Sequence, residues 1–593
     1  MEKFTDEQNK FLLAEGKNVV KACPGSGKTY MVANKFMKYQ NEWDLYHQGV
    51  AVLSFTNVAS KEVLEKIESI EGKVQSVNYP HFVGTVDSFI NEFIVLRYGY
   101  LNTSDNKRPQ ISLTDNWKIP YKYWRTECHR NGCIDHIEGF RYGIDKKFYK
   151  GNELVTCELR GKQITLPCQQ YKKMLANKNV VFQNETALFA FQLLKKYPEI
   201  AKGLAERFPV IIIDEAQDTS AEQMAVFDLI SNSGVKSFFL VGDPDQAIYE
   251  WRDATPECFL LKMKESEWNT IELTGNFRSS QNICNSTCHF SETISNEFPN
   301  KAIGIYKDEV EKPILLLTNG NNVREIDNYF IKKCKELNIE IDPKKVAILT
   351  RGSIHNDTDI MGLWKSKELE WFAHSRYEWE YGSRKKAISI ASKAAFCIFY
   401  GEQIEGFEMQ TIIDNTFSSR LWFEFIIDLV SDAPCIKMAI GEWVCLYEAH
   451  FSKLTSKYGI PIHANKQLSE VIKIKSRDKN VPHFKNIEVL RFFEKKQQNE
   501  YTRSSVHGVK GETYEAVLLF INSKTGKTLT PSFLEKGDLN SELMRIAYVA
   551  MTRPRRLLMV AMPANVKTKE YQRFPKELWK YEYIEQTKKL NEK

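Results

Sequence analysis

The chain has 593 residues, several times the size of a typical domain, and we expect about three to five domains. Its apolar fraction of 42% supports large cores, and its net charge of +6 permits a polyanionic partner without requiring one. No apolar run approaches the ~20 residues that span a bilayer, and the 12 cysteines are scattered. These features predict a soluble protein of the reducing cytoplasm, and they exclude membrane-spanning and disulfide-stapled classes.

A short helix is predicted to start near Thr5, and its residue Gln8 has two possible roles. The Gln8 amide carries a donor and an acceptor, which suits the edge of an adenine base. Thr5 followed by Gln8 also fits a capping box at a helix N-terminus. The two roles are compatible, and both stay open.

A strand, a glycine-rich loop and a helix come next, in the pattern that cradles phosphates. Glycines let backbone N–H groups turn toward phosphate oxygens, and the following helix N-terminus adds partial positive charge. Lys28 is expected to reach the β- and γ-phosphates, and the Thr29 hydroxyl is expected to ligate Mg²⁺. We interpret Cys23 as a small filler residue. The predicted phosphate-binding segment comprises Ala22, Cys23, Pro24, Gly25, Ser26, Gly27, Lys28 and Thr29.

Polar residues follow the next predicted strand. Thr56 and Asn57 come after the strand that ends near Phe55, and a similar strand end follows at 83–89. Ligands of α/β proteins bind at the carboxyl ends of such strands. Taken alone, each of these two segments is generic.

An apolar strand at 210–213 ends in two carboxylates, Asp214 and Glu215. A continuous apolar run predicts a strand that is buried on both faces of a parallel sheet. Asp214 is expected to hold Mg²⁺, and Glu215 is expected to act as general base for the attacking water. Solvated charges at an ordinary strand end are the alternative, which the phosphate loop disfavours.

Another buried strand, near 238–242, leads into a polar and aromatic loop. Gln246 can sense the γ-phosphate of a bound nucleotide. Tyr249 and Trp251 can stack on bases, each stack contributing ~1–3 kcal/mol without sequence preference. A core position is the alternative for Trp251.

Farther along the chain, Arg278 and Arg553 are candidate contacts for transferring phosphate, although a solvated arginine is the ordinary alternative.

These segments, in this order and at this spacing, resemble the helicase motifs of superfamily 1A, the UvrD, Rep and PcrA group. The resemblance implies an α/β protein with two RecA-like P-loop motor domains, each with parallel sheets flanked by helices and an inserted, mostly helical accessory domain. It also implies a 3′→5′ DNA helicase that uses ATP and Mg²⁺ and acts on single-stranded or tailed duplex DNA. The expected domains are 1–97 with 206–275 (1A), 98–205 (1B), 276–362 with 502–593 (2A), and 363–501 (2B).

The resemblance also assigns roles to individual residues. Gln8 would bind adenine and Phe277 would stack on it, while Gln246, Arg278 and Arg553 would contact the γ-phosphate. Lys28, Thr29, Asp214 and Glu215 keep the roles given above. The residues expected along the DNA strand are Phe55, Thr56, Asn57, Tyr249, Trp251, Arg351 and His507.

Three positions depart from the family pattern. Tyr30 replaces an arginine that stacks on adenine, and it can stack from the same side. Asp87 replaces a histidine, and we expect this carboxylate to avoid the DNA backbone because it would repel phosphate. Thr513 occupies the place of the glutamate that contacts ribose, and Glu512 lies one residue earlier, so the ribose contact is open between them.

A looser resemblance links the run 193–200 and the following 208–209 to helicase subunits of anti-phage systems such as Gabija, which suggests a partner nuclease. Action in DNA repair or antiviral defence is therefore predicted. An ATP-switched, DNA-sensing subunit that controls a nuclease with little unwinding of its own is the main alternative, and an RNA translocase is another.

Cys128, Cys133 and His136 form a weak candidate metal group, because they lack the spacing of zinc sites.

Overall fold

A computed structural model describes residues 4–71, 77, 79–103, 105–112, 137–150, 153–155, 158–159, 162–163, 167–249, 254–297, 299–318, 323–351, 367–400, 412–413, 416, 418–459, 488–493, 500–521, 529–564 and 571–584. Within these ranges no helix has both the length and the apolar character needed to cross a membrane.

The first sheet has six parallel strands in the spatial order β6-β1-β5-β4-β2-β3. Three of its inner strands, β2, β4 and β5, are buried along their whole length, as expected for strands covered on both faces. All five residues of β4, for example, are buried. The strands are β1 (Gly16–Ala22), β2 (Val50–Ser54), β3 (Phe82–Thr85), β4 (Val210–Asp214), β5 (Ser237–Gly242) and β6 (Asn269–Leu273).

Helices cover both faces of this sheet. One face packs against α1 (Asp6–Leu13), α2 (Lys28–Asn41) and α3 (Asn57–Glu71). The other face forms a second apolar core with Val86–Ile90, Thr186–Lys196, Pro198–Arg207, Ala221–Ser231 and Pro256–Lys262. The helices at 186–207, which the sequence placed in the first insertion, therefore share the core of the first sheet.

The second sheet also has six parallel strands, in the order β9-β8-β10-β11-β7-β12. It likewise has an apolar core on each face. Its strands are β7 (Ile314–Thr318), β8 (Val346–Thr350), β9 (Thr502–Ser505), β10 (Tyr514–Phe520), β11 (Pro554–Pro563) and β12 (Lys580–Ile584). The flanking helices are Gln281–Thr287, Val323–Glu336, Pro531–Lys536 and Glu542–Met551. The predicted α/β fold with two parallel, helix-flanked sheets is confirmed.

Two insertions stand apart from the sheets. The first contains short strands as well as helix Pro167–Asn177, around a small core of its own. Its strands are Gln110–Ser112, Phe140–Tyr142, Phe148–Lys150, Glu153–Leu154, Glu158–Leu159, Lys162–Gln163 and Val180–Phe182. The second contains helices Lys367–Tyr381, Arg384–Tyr400, Ser419–Ser431 and Ile440–Tyr458, whose apolar faces form one core. The exact domain limits stay predictions.

Candidate active site

The loop between β1 and α2 has the backbone that a phosphate cradle requires. Gly25 and Gly27 adopt φ angles of +75° and +80°, which side chains other than glycine rarely tolerate. A Cβ atom at Gly25 would lie 2.6 Å from Asn276 Oδ1 and 2.7 Å from Arg278 Cβ. The Phe277 amide also donates to the Gly25 carbonyl at 2.8 Å. The loop therefore packs directly against the chain segment that leads to the second sheet.

A cleft of about 340 Å³ opens between this loop and the second sheet. Predicted site residues that line it are Cys23, Gly25, Ser26, Gly27, Lys28, Thr29, Tyr30, Glu215, Gln246, Phe277, Arg278 and Arg553. Further residues that the sequence did not single out for this site are Glu62, Lys66, Gly511 and Arg555, and Thr513 lines it as well.

The carboxylates Asp214 and Glu215 follow each other at the end of β4, and Glu215 lines the cleft. Lys28 Nζ lies 3.5 Å from Glu215 Oε2. Glu215 has a left-handed backbone with φ of +54°, and its amide donates to Asp214 Oδ1 at 3.0 Å. A non-glycine residue in this conformation is strained, which is common where a side chain is aimed into a functional site.

Their surroundings shift the pKa values of Asp214 and Glu215 in opposite directions. Burial raises the pKa of Asp214, and the nearby Glu215 charge adds to the rise. Burial also opposes ionisation of Glu215, but the positive charges of Lys28 and Lys510 outweigh it and hold the pKa of Glu215 low. Glu215 is therefore ionised at neutral pH, as a general base must be.

The residues around Asp214 fit a hard cation such as Mg²⁺. Asp214 Oδ2 is buried and accepts no hydrogen bond from the residues that the structure describes. A buried carboxylate oxygen without a donor is costly unless a cation or water meets it. Thr29, whose hydroxyl was predicted as a second ligand, lines the cleft, and Asp214 directly precedes the lining residue Glu215.

Two arginines from the second half of the chain reach the cleft. Arg553 is 2% exposed, and its Nη2 atom donates to Gln246 Oε1 at 2.6 Å. Arg278 donates to the Thr552 carbonyl at 3.1 Å. Burial removes water from both guanidinium groups and lowers their pKa. Together with Lys28, these two desolvated cations attract a multiply charged anion strongly.

The three predicted adenine contacts, Gln8, Tyr30 and Phe277, differ in their relation to the cleft. Thr5 and Gln8 form the capping box of α1, and Gln8 Nε2 donates to the Ser26 carbonyl at 3.4 Å. Tyr30 and the 42%-exposed Phe277 both line the cleft. The adenine contact of Gln8 stays a prediction, because its amide is engaged within the protein.

The ribose candidates Glu512 and Thr513 occupy different positions. Thr513 lines the cleft, whereas the exposed Glu512 side chain is not among the lining groups. The Glu512 carbonyl accepts a hydrogen bond from Arg553 Nη1 at 3.4 Å. Glu512 thus touches the site through its backbone. Ala22 and Pro24 are not among the residues that line the cleft.

Three predicted DNA-facing side chains meet next to the cleft. The Phe55 and Tyr249 rings lie 5.3 Å apart, and the Tyr249 and His507 rings lie 6.1 Å apart. Thr56 caps α3 by accepting from the Ala59 amide at 3.1 Å. Asn57 opens the same helix, and Arg351 follows β8 directly. Trp251 lies outside the described residues.

A polar chain links this aromatic group to the carboxylates. Gln217 Nε2 donates to Glu215 Oε2 at 2.5 Å and to Asp218 Oδ2 at 3.3 Å. Lys510 pairs with Asp218, and its Nζ atom lies 4.7 Å from the centre of the Tyr249 ring. Groups at the hydrolytic end and groups at the aromatic end are therefore connected through four contacts.

Asp87 is not among the residues that line this cleft. Asp87 Oδ1 accepts from Gln223 Nε2 at 2.7 Å, so this carboxylate is held within the first domain. Cys128, Cys133 and His136 lie outside the described residues, and within the described part of the chain no group of three potential metal-ligating side chains is found.

Residues 4–267 match the family model described as UvrD/REP helicase N-terminal domain. A probable DNA helicase of Mycoplasma pneumoniae is 23% identical over 370 residues, which are 60% of this chain and 69% of that protein. The ATP-dependent DNA helicase PcrA of Staphylococcus aureus is 24% identical over 312 residues, 51% of this chain and 41% of PcrA. The Gabija protein GajB of Bacillus cereus is 28% identical over 348 residues, 56% of this chain and 61% of GajB. The matched regions thus cover less than two thirds of PcrA and of GajB.

Proposed function

We propose, from the match of residues 4–267 to the UvrD/REP helicase N-terminal domain and from the similarity to DNA helicases, that the chain is an ATP-dependent DNA helicase that moves 3′→5′ along single-stranded DNA. The cleft is the observation that carries the proposal. It brings the phosphate loop and Glu215 together with Arg278 and Arg553, which enter from the second half of the chain. A triphosphate in this cleft touches both sheets, so its binding and hydrolysis change how the sheets dock.

The first sheet supplies the hydrolytic groups. Lys28 and the loop amides neutralise the β- and γ-phosphates, and Glu215 accepts a proton from the attacking water. Thr29 and Asp214 would hold Mg²⁺, which offsets the phosphate charge when bound. Desolvation of these groups strengthens each electrostatic contact relative to water.

The second sheet supplies the nucleotide sensor. Arg553 already bonds to Gln246, and a γ-phosphate would take over that hydrogen bond. Gln246 precedes Ile248 and Tyr249, and the Ile248 carbonyl lies 3.1 Å from His507 Nε2. A change at Gln246 therefore reaches the aromatic group directly. Phe277 and Tyr30 offer the ring faces between which adenine would stack.

DNA bases would stack on Phe55 and Tyr249 and on Trp251, with Thr56, Asn57, Arg351 and His507 along the backbone. Base stacking tolerates any sequence, which a translocating motor requires. Alternate closure and opening of the cleft would let these contacts grip and release the strand in turn.

Two substitutions test the hydrolytic assignment. Lys28→Ala and Glu215→Gln should each abolish ATP hydrolysis stimulated by single-stranded DNA, since one loses the phosphate contact and the other the base. Steady-state ATPase assays with and without oligonucleotide measure this. Wild-type turnover in either variant would show that its residue has been misassigned.

A strand-displacement assay tests the direction in which the chain moves along DNA. Duplexes carrying a 3′ tail or a 5′ tail of equal length should differ, and only the 3′-tailed substrate should be unwound by the isolated chain. Preference for the 5′ tail would refute the proposed polarity.

A second function is favoured by the 28% identity to the Gabija protein GajB. In this alternative the chain is an ATP-switched, DNA-sensing subunit that controls a partner nuclease in antiviral defence and unwinds little by itself. DNA-stimulated ATPase without strand displacement would support it over the motor. A neighbouring nuclease gene, or a nuclease recovered with the chain from native cells, would favour defence over DNA repair.

A further inference from the structure

Two charged side chains of α3 line the cleft without a role in the proposed hydrolysis. Glu62 and Lys66 both belong to α3 and both line the nucleotide cleft. Their spacing of four residues puts them on one face of the helix. A lysine in a triphosphate cleft is expected, but a second carboxylate beside Glu215 opposes the charge of the ligand.

Glu62 lies at the phosphate end of the cleft, between the two halves of the protein. Its Oε2 atom is 3.4 Å from the position that a Cβ atom would take at Gly511, a residue of the second half with φ of +92°. The charged groups that surround it include Lys28, Glu215 and Arg278. Its negative charge also acts on Arg553.

In this position the Glu62 carboxylate would repel a γ-phosphate. Lys28, Arg278 and Arg553 are the cations that would hold a triphosphate, and Glu62 offsets part of their charge. A γ-phosphate held by these cations would lie near the Glu62 carboxylate, which is partly buried and therefore less screened than a fully exposed group. A nucleoside diphosphate lacks that phosphate and meets less of the repulsion.

Helix α3 connects Glu62 to the predicted DNA contacts. The helix begins at Asn57, directly after Phe55 and Thr56, and Thr56 caps it. The Phe55 ring lies 5.3 Å from the Tyr249 ring. Because a helix of this length moves as a rigid unit, displacement of its N-terminus by a bound strand also displaces Glu62.

We propose that Glu62 is a positioning residue that weakens binding and hydrolysis of ATP until DNA occupies the N-terminal end of α3. The inference rests on the proposed function, because it presumes a DNA-stimulated ATPase. The Glu62 carboxylate acts through the surrounding cations, and it withdraws from them when the strand binds at Phe55 and Asn57.

Nucleotide affinity without DNA is the first test, measured by calorimetry with β,γ-imido ATP and with ADP. Glu62→Gln should tighten the ATP analogue about tenfold and change ADP by less than about threefold. Glu65→Gln is the matched control, since it removes the same charge from the same helix at a side chain that is 61% exposed. Equal changes for both nucleotides, or none, would overturn the inference.

Turnover is the second test. Glu62→Gln should raise DNA-free ATPase and reduce the stimulation by single-stranded DNA, whereas Glu62→Asp, which keeps the charge, should stay close to wild type. If the Asp and Gln variants behave alike, the side chain acts through packing and the inference fails. Lower turnover of Glu62→Gln with and without DNA would also overturn it. A wild-type chain without DNA-stimulated ATPase would instead refute the proposed function.

Discussion

Removal of the Lys510 amine should uncouple the two halves of the protein. The Lys510 side chain is 9% exposed, and its partner Asp218 is 1% exposed. Lys510 also donates to the Gln246 carbonyl at 2.9 Å and covers the Tyr249 ring. Lys510→Met keeps most of the apolar stem but leaves the Asp218 carboxylate buried without a cation.

The cost follows from that buried charge. Breaking a buried ion pair by removing one partner costs about 3–5 kcal/mol. Asp218 can limit the cost by binding a proton, because burial already raises its pKa to about 6 in the presence of Lys510. A raised carboxyl pKa destabilises the folded state increasingly as pH rises from the unfolded value to the folded one. The variant should therefore lose more stability at about pH 8 than at about pH 5.5.

Urea unfolding and DNA-stimulated ATPase of the variant measure these effects. Lys61→Met on the exposed face of α3, where the side chain is 77% exposed, is the matched control and should be neutral. The double variant Asp218→Asn/Lys510→Met should recover most of the lost stability, since neither charge is then buried alone. If the double variant is as unstable as the sum of the single variants, the pair is not coupled and the reasoning is wrong.

Three further substitutions test other parts of the structure. Lys35→Met should lower the free energy of unfolding by about 1–3 kcal/mol, because Lys35 Nζ donates to three carbonyls that follow or end α1, and urea unfolding measures this. Gly25→Ala should abolish nucleotide binding in calorimetry, since the new methyl group would meet Asn276 and Arg278; normal affinity would contradict the tight packing. Tyr249→Ala should weaken binding of single-stranded DNA by about 1–3 kcal/mol in fluorescence anisotropy, regardless of sequence, and an unchanged affinity would exclude stacking there.

Local chemistry made the centre of the site predictable. The run from Val210 to Asp214 is apolar until its last residue, which indicated both a buried strand and a polar end. Gly25 and Gly27 flank Ser26, and both adopt the positive φ angles that glycine tolerates. The family match over residues 4–267 confirms the resemblance that these motifs indicated.

Other parts of the cleft form only where the two halves of the chain pack together, and a local motif does not encode that packing. No motif singled out Glu62 and Lys66, and Gly511 of the second half approaches Glu62 at the cleft that both side chains line. Arg555 lies two residues beyond a predicted arginine, and the alternation of a strand could have indicated its direction. Thr513 and Glu512 were adjacent alternatives, and tertiary placement brings Thr513 to the cleft.

The central claim is that the two halves of the chain hold one triphosphate between Lys28 and Arg553. Affinity of Arg553→Ala for β,γ-imido ATP and for ADP, measured by calorimetry, tests it most directly. We predict that the variant binds the ATP analogue roughly 10- to 100-fold more weakly, since one charged hydrogen-bonding group is lost, and that ADP binding stays close to wild type. Unchanged affinity for the ATP analogue, or an equal loss for both nucleotides, would contradict a shared γ-phosphate site.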